Sequence, residues 1–376
     1  MNKNKLCIAV VGLGFGAEFV PIYMDHPDVE SVTICDTNPD RLRKTADQFG
    51  ISKQFNDLEE VIQSEEIDAV HLVSGIPDHA KQTLAVLASG KHCACTVPMA
   101  TSIGDLQAIV DLQKKTGLNF MMMETAIHTR AFLYAMELKK KGEFGRIQFL
   151  RGAHYQDMEG WPSYWAGLPP MWYATHAISP LLALIESRAV KVHCFGSGHM
   201  REELYEQYGN PYPIETAIFQ LESPGLSAEV TRSLVHCARP YMESFSVYGE
   251  NACYEWQMEN EDPMLFRMSP VVHGEERTET MERPKAPDRA DLLPSSVGRF
   301  TKKFVYAEND KHLSFEQGGG HHGSHPHMVH EFVRSIVEQR QPSINAVTAA
   351  NWTAAGICAH ESAMEGGREV VIPEFV

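Results

Sequence analysis

The sequence predicts an α/β chain in two parts: a doubly wound parallel sheet over residues 1–125, then an α+β part over 126–376 with a large, open, mostly antiparallel sheet. Three observations lead there. Short apolar runs alternate with helical patterns through the first third. A glycine-rich turn follows the first of these runs. After about residue 125 the strand-like runs lengthen and helices become rare.

"LCIAVVG" is continuously apolar, as expected of a strand covered on both faces, and "SVTICD", "AVHLVS", "HCACTV" and "NFMMME" repeat the signal. Helical patterns lie between them, at Asp40 to Phe49, Leu58 to Ser64, His79 to Ser89 and Ile103 to Lys115. One more helix, Thr129 to Lys141, leads into "RIQFLRGAHY", "AVKVHCFGS", "ETAIFQLES", "LSAEVTRSLVH", "SFSVYGE" and "CYEWQM". The segment 263–311 is weakly periodic, charged and proline-bearing, and is read as a long loop. Two helices close the chain, the second stopping at a glycine pair.

The chain has 376 residues and a net charge of −16, with no basic stretch to offset it, which argues against a nucleic-acid partner. No apolar run reaches bilayer length. "MNKNKLCIAVVG" enters a strand pattern at once, leaving no room for a signal peptide, so a cytoplasmic location is expected. The eight cysteines form no CxxC pair and are expected as free thiols in a reducing compartment.

"VVGLGFGAEF" places Gly12 and Gly14 at the first two positions of a dinucleotide-binding turn, with Ala17 at the third and Phe15 and Gly16 between. Gly12 allows the tight turn, Gly14 lets a pyrophosphate approach the backbone, and Ala17 lets helix and strand pack closely. The helix N-terminus is expected to face the phosphates. The second strand ends at Asp36, whose carboxylate suits a ribose diol and repels a 2′-phosphate, so NAD is favoured; Arg41 and Arg43 keep NADP as the lesser alternative. Asn38 lies in the same turn. Ser74, Pro77 and His79 follow a strand at its carboxyl end, where open parallel sheets bind ligands. The alternative for them is a proline-shaped turn capping the next helix.

These features resemble the glucose–fructose oxidoreductase, inositol dehydrogenase and MocA family over nearly the whole chain. The resemblance rests on "GLGFGAE", "CDTNPDRL", the "VPMAT" turn and "YATHAISPLLALIE". It implies a Rossmann domain, a sugar or polyol substrate, and a homo-oligomer built on the open sheet. Many members carry Glu-Lys-Pro where this chain has Thr96, Val97 and Pro98. One branch is similar in lacking that lysine: the NAD-dependent glycoside hydrolases typified by α-N-acetylgalactosaminidase. "NFMMMET" resembles its methionine-rich strand ending in a glutamate, here Glu124. Tyr173 and His176 match its Tyr-x-Thr-His, and "GGGHHGSH" its glycine–histidine loop. Thr96 stands where that branch has glutamate, and His154 where it has tyrosine.

His176 and Tyr173 are therefore the candidate catalytic pair, an imidazole that titrates near neutrality and a phenol three residues before it. Gly12, Gly14, Phe15, Gly16, Ala17, Asp36, Asn38, Arg41, Ser74, Pro77, His79, Thr96, Pro98 and Glu124 are expected at the cofactor. His154, Tyr155, Trp172, His321 and His322 are expected at the substrate, although alternate strand residues face opposite ways. Trp161 and Trp165 are stacking candidates or core. The cluster His321, His322, His325, His327, His330 matches neither HExxH nor HxxEH, and no metal is expected.

The expected reaction is hydride transfer from a sugar ring carbon, with C3 favoured. NAD is recycled if the ketone then drives elimination of the glycosidic group, water addition and reduction. The alternatives are a simple dehydrogenase releasing the keto-sugar, and a cofactor-binding sensor or partner subunit.

Overall fold

The computed structural model describes residues 5–239, 241–258, 261–302 and 320–376. The chain divides into two compact units, Met1–His128 with Asp288–Ala350 and Phe375–Val376, and Thr129–Pro287 with Asn351–Glu374.

In the first unit, β1 (Leu6–Val11), β2 (Val29–Cys35), β3 (Gln54–Phe55), β4 (Ala69–Leu72), β5 (His92–Thr96) and β6 (Phe120–Met123) form one sheet in the order β3-β2-β1-β4-β5-β6. Every pair is parallel. β4 and β6 are buried throughout, as apolar strands between two helical layers must be. The strand order reverses between β1 and β4, which opens a crevice at their carboxyl ends. Capping fixes the helices locally. Asn38 accepts from the amides of Asp40 and Arg41 at the start of Pro39–Phe49, and Ser102 accepts from Asp105 at the start of Ile103–Thr116.

The helix His325–Val337 belongs to this first unit. Arg334 pairs with Asp28 at 2.8 Å, and His330 meets His26 at 2.9 Å. The sequence shows that helix but not the helix Val20–Met24 beside which it packs, because periodicity gives a helix its apolar face and not its partner.

In the second unit, β7 (Ile147–Gln156), β8 (Ala189–Ser197), β9 (Ile214–Leu221), β10 (Ser227–Ser233), β11 (Tyr241–Gly249), β12 (Ala252–Trp256), β13 (Met264–Met268), β14 (Glu279–Glu282) and β15 (Val370–Val371) form a nine-stranded sheet. The order is β14-β13-β12-β11-β7-β10-β9-β8-β15, and among the described residues β7 with β10 is its single parallel pair. The segment 263–311 thus contributes two strands where the sequence suggested loop. The exposed Glu279–Glu282 strand carries little apolar signal, and residues 303–311 lie outside the described part.

Gly152 explains how a helix reaches this sheet. A Cβ there would lie 2.1 Å from the carbonyl oxygen of Ala177, so glycine lets Thr175–Ile185 press its backbone onto β7. His176 precedes Ala177 by one residue, and His154 follows Gly152 by two on the same strand face. The close approach therefore brings the two histidines together.

Candidate active site

In the first unit the turn after β1 has the geometry its glycines require. Gly12 has φ +89°, and a Cβ would sit 2.5 Å from the carbonyl oxygen of Val73. A Cβ at Gly14 would meet only the Arg41 guanidinium, at 3.9 Å, so the backbone there is open to a ligand. Gly16 packs on the side chains of Val10 and Val73, sharing with buried Ala17 the close-packing role expected of Ala17 alone. The chain then makes a single helical turn, Gly16–Glu18, and a five-residue helix, Val20–Met24, with Pro21 in its first turn. These two short pieces stand where a helix was expected to face the phosphates with its N-terminus.

Asp36 is buried, and its carboxylate accepts from the amides of Leu13 and Asn38, each at 2.7 Å. It braces the glycine turn, and its remaining lone pairs suit a diol. The Arg41 guanidinium stands 3.2 Å away. An open backbone beside a buried acid fits an adenine dinucleotide.

Ser74 and Pro77 lie in the turn after β4, and the Ser74 hydroxyl meets Gln82 at 2.5 Å. His79 is buried, with Nδ1 2.7 Å from the Pro98 carbonyl and Nε2 3.0 Å from that of Ser74. Only an imidazolium donates to both. Burial opposes its charge, but Cys95 and the two carbonyls prevail and raise its pKa to about 9. His79 thus ties the Ser74 turn to the Val97–Pro98 turn, whose peptide bond is cis. Thr96 reaches the carbonyl of Leu72. Glu124, fully buried, accepts from the amide of Ala126 at 2.9 Å.

The histidine-rich segment returns to the glycine turn. His321 Nδ1 lies 3.4 Å from the Thr125 hydroxyl, and His325 Nδ1 lies 3.5 Å from Glu18. The rings of His321 and His325 lie 6.2 and 5.5 Å from Phe15. Burial raises the Glu18 carboxyl, partly offset by His321. His321 and His322 both have left-handed backbone, φ 47° and 50°. Phe15, Glu18, Thr125, His321 and His325 therefore form one group. His327 turns instead to the carbonyl of Asp288, and His330 to His26.

In the second unit four buried polar side chains form a row across one sheet face. Glu243 on β11 is in register with His154 on β7, His154 with Arg232 on β10, and Arg232 with Glu215 on β9. Each sits in the phase of buried apolar neighbours: Phe245 and Val247, Leu150 and Gly152, Ala228 and Val230, Ala217 and Phe219. His176 stands over the row, with Nδ1 3.8 Å from Glu243 and Nε2 3.3 Å from the Tyr173 hydroxyl. Tyr241 donates to Glu243 at 2.7 Å, and the rings of His154 and His176 are 5.2 Å apart.

Arg232 supports this cluster from below. Its guanidinium donates to the carbonyls of Tyr173 at 2.9 Å and His154 at 3.0 Å, to that of Ser233, and to Gln156 at 2.9 Å. Burial lowers its pKa to about 10, against the pull of Tyr173, Tyr241 and Glu243, so it stays charged at neutral pH. Glu215 holds the amide of Met171 at 2.8 Å and His360 at 2.7 Å. Together these acceptors anchor the turn that carries Tyr173.

Tyr173, His176 and His154 are brought together as the sequence suggested. Tyr155 falls on the opposite strand phase from His154, half-buried. Trp172 packs edge-on against His360 and Tyr208. Trp165 packs on Tyr173 with ring centres 4.9 Å apart, whereas Trp161 is exposed. Glu243, Arg232, Glu215 and His360 were not singled out from the sequence. The available signal was a charged residue on the apolar phase of each strand.

Cys35, Cys93, Cys95, Cys194 and Cys358 are buried, and no disulfide joins any of the eight cysteines. Among the described residues no helix is long and apolar enough to cross a membrane.

Residues 6–124 match the GFO/IDH/MocA family, described as an oxidoreductase family with an NAD-binding Rossmann fold. A glycosyl hydrolase family 109 protein of Saccharopolyspora erythraea is 21% identical, over 98% of this chain and 83% of its own length. Levoglucosan dehydrogenase, solved in complex with NADH and L-sorbose, superposes with a TM-score of 0.78 at 19% identity, over 99% of this chain and 100% of its own. An oxidoreductase from Agrobacterium radiobacter, solved with NAD+, L-tartaric acid and magnesium, gives 0.76 at 15% identity, over 98% of both chains. At such identities the two structures establish the fold. Residues 6–124 thus carry the NAD-binding Rossmann fold of the glucose–fructose oxidoreductase, inositol dehydrogenase and MocA oxidoreductase family.

Proposed function

We propose that the chain oxidises a sugar or glycoside at a ring carbon, with C3 favoured, and that Tyr173, His176 and Glu243 manage the hydroxyl proton. The observation that carries this is the line from the Glu243 carboxylate through both nitrogens of His176 to the Tyr173 hydroxyl. Supporting it are the names of the relatives, a glycosyl hydrolase and a sugar dehydrogenase.

Gly12, Gly14 and Asp36 would hold NAD, which when bound supplies the hydride acceptor and, in a redox-neutral cycle, the later donor. Glu243, fixed by Tyr241, stabilises positive charge on His176 and keeps Nε2 turned to Tyr173. As the substrate hydroxyl gives its proton to the phenol oxygen, the phenol proton passes to Nε2. A ketone formed in this way acidifies the neighbouring C–H. In a glycoside, loss of that proton expels the glycosidic oxygen; water then adds, and the ketone is reduced again. This route needs no flanking pair of carboxylates.

A plain dehydrogenase is the second reading, favoured by the levoglucosan dehydrogenase likeness. The proposal includes a second copy of the chain on the open sheet face, where Phe195 and Ile218 are exposed; a monomer mass by light scattering rejects that part. The chemistry is tested by mixing the protein with NAD+ and a panel of glycosides, then following the NADH band and free aglycone. Aglycone without net NADH supports cleavage, and NADH without aglycone supports the dehydrogenase. Neither product, with NAD bound, rejects both.

A further inference from the structure

We propose that His154, His176 and Glu243 bind a divalent transition-metal ion whose coordination is completed by two adjacent oxygens of the substrate, a vicinal diol or α-hydroxyketone. The substrate part rests on the sugar reading above; the ion site does not.

The three residues come from β7, the start of helix Thr175–Ile185, and β11. One ligand atom from each lies within 4.8 Å of the others, and the side chains are buried at 0, 5 and 1% exposure. Two imidazoles and a carboxylate suit zinc, manganese, iron or cobalt better than calcium or magnesium, and three ligands leave positions open. Donors around such an ion stand roughly 3–3.5 Å apart. Nδ1 of His176 and Glu243 stand 3.8 Å apart, so ion binding must draw the three donors closer together.

The placement is built rather than incidental. Strand register sets Glu243 opposite His154, and the close contact at Gly152 sets His176 above them. Tyr241 orients the carboxylate at 2.7 Å, and Tyr173 faces the far nitrogen of His176 at 3.3 Å, the kind of outer contacts that fix metal ligands. One carboxylate leaves a divalent ion with net positive charge, so the site favours an anionic chelate: the alkoxide of a diol or the enolate of a hydroxyketone. With the ion at Nδ1 the ring keeps its proton on Nε2 and donates to the Tyr173 oxygen, so the loaded protein does not run the His176 relay described above and the ion itself activates the bound substrate oxygen.

The test titrates chelator-treated full-length protein with cobalt(II) alone, followed by visible absorption and by elemental analysis after desalting. One cobalt per chain is expected, with a loss of affinity of at least about 100-fold in His154→Gln and in Glu243→Gln, and no change in His193→Gln on the exposed part of β8. Circular dichroism reports whether each variant is folded. Independently of any variant, copper(II)-loaded wild type should show two imidazole nitrogens by pulsed electron resonance. No retained cobalt, equal retention in folded variants, or fewer than two imidazoles overturns the ion site. Cobalt held at the triad with neither NADH nor free aglycone from any sugar or glycoside instead rejects the sugar reading and leaves the ion site standing.

Discussion

The Glu243 carboxylate lies 3.8 Å from Nδ1 of His176, and both side chains are buried on the inner face of the nine-stranded sheet. In water such a separation is worth little; in a buried pocket it sets which nitrogen carries a proton. Glu243→Gln keeps the shape and removes the charge. The expected outcome is a fall in kcat of about 10²-fold or more at unchanged KM for NAD, because stabilisation of the imidazolium is lost. Steady-state rates across pH check this, and a variant within twofold of wild type removes Glu243 from the mechanism.

Gly152 lets the helix carrying His176 touch β7. Gly152→Ala places a methyl group 2.1 Å from the Ala177 carbonyl oxygen, and backbone cannot yield as a flexible side chain can. Overpacking of this kind costs about 1–3 kcal/mol. The variant is expected to unfold at lower urea and to lose activity beyond its loss of stability, since His176 is pushed away from His154. Denaturation curves and rates at low temperature separate the two effects.

The fold was legible because apolar runs and glycine turns act locally. β1, the Gly12 turn and the helix that starts at Ile103 follow from neighbouring residues alone. The site was legible only where a motif named its residues, as at Tyr173 and His176. Glu243 and Arg232 escaped because a charge in a strand is ordinarily read as solvent-facing, and only counting by twos from Phe245 or Val230 puts each on the buried phase. His79 reads equally well as a ligand contact or a turn strut, and the carbonyls of Ser74 and Pro98 that take both its nitrogens are assembled by tertiary structure.

Asp36 braces the glycine turn and is the group proposed to take the ribose diol. Asp36→Ala deprives Leu13 and Asn38 of their acceptor and releases Arg41 from its 3.2 Å pairing. KM for NAD is expected to rise at least about tenfold. The preference over NADP should shrink, because the guanidinium becomes available to a 2′-phosphate. Kinetics with both cofactors test this; an unchanged preference ratio counts against the assignment.

Acid should destabilise the first unit through buried neutral histidines. Burial lowers His71 to about 3, and burial with His327 lowers His128 to about 3; burial, then His330, lowers His26 to about 4. Their unfolded values lie near 6.5. As pH falls below 6.5 the unfolded chain gains protons that the folded chain refuses, so stability drops by about 1.4 kcal/mol per pH unit for each histidine. His79 works oppositely. Its raised value makes its contribution complete below 6.5 and lost as pH climbs through about 9. Urea unfolding between pH 5 and 6.5 should show this slope, smaller by about one proton in His71→Gln.

Arg232 carries the largest expected loss of stability. Its guanidinium meets three carbonyls and Gln156, and it joins the Tyr173 turn to β7. Arg232→Met fills much of the same volume but strands those acceptors without donors in a buried place. Breaking such a network costs about 3–5 kcal/mol. Arg232→Lys restores the charge but not the planar fork, so it should recover less than half of that loss. The measurement is the urea midpoint of all three proteins, together with kcat under conditions where each is folded. The Nε contact to the Tyr173 carbonyl predicts that kcat falls in both variants, because the phenol drifts from Nε2 of His176. A methionine variant as stable and as active as wild type would mean that the row across the sheet is ordinary core packing, with no part in holding the site.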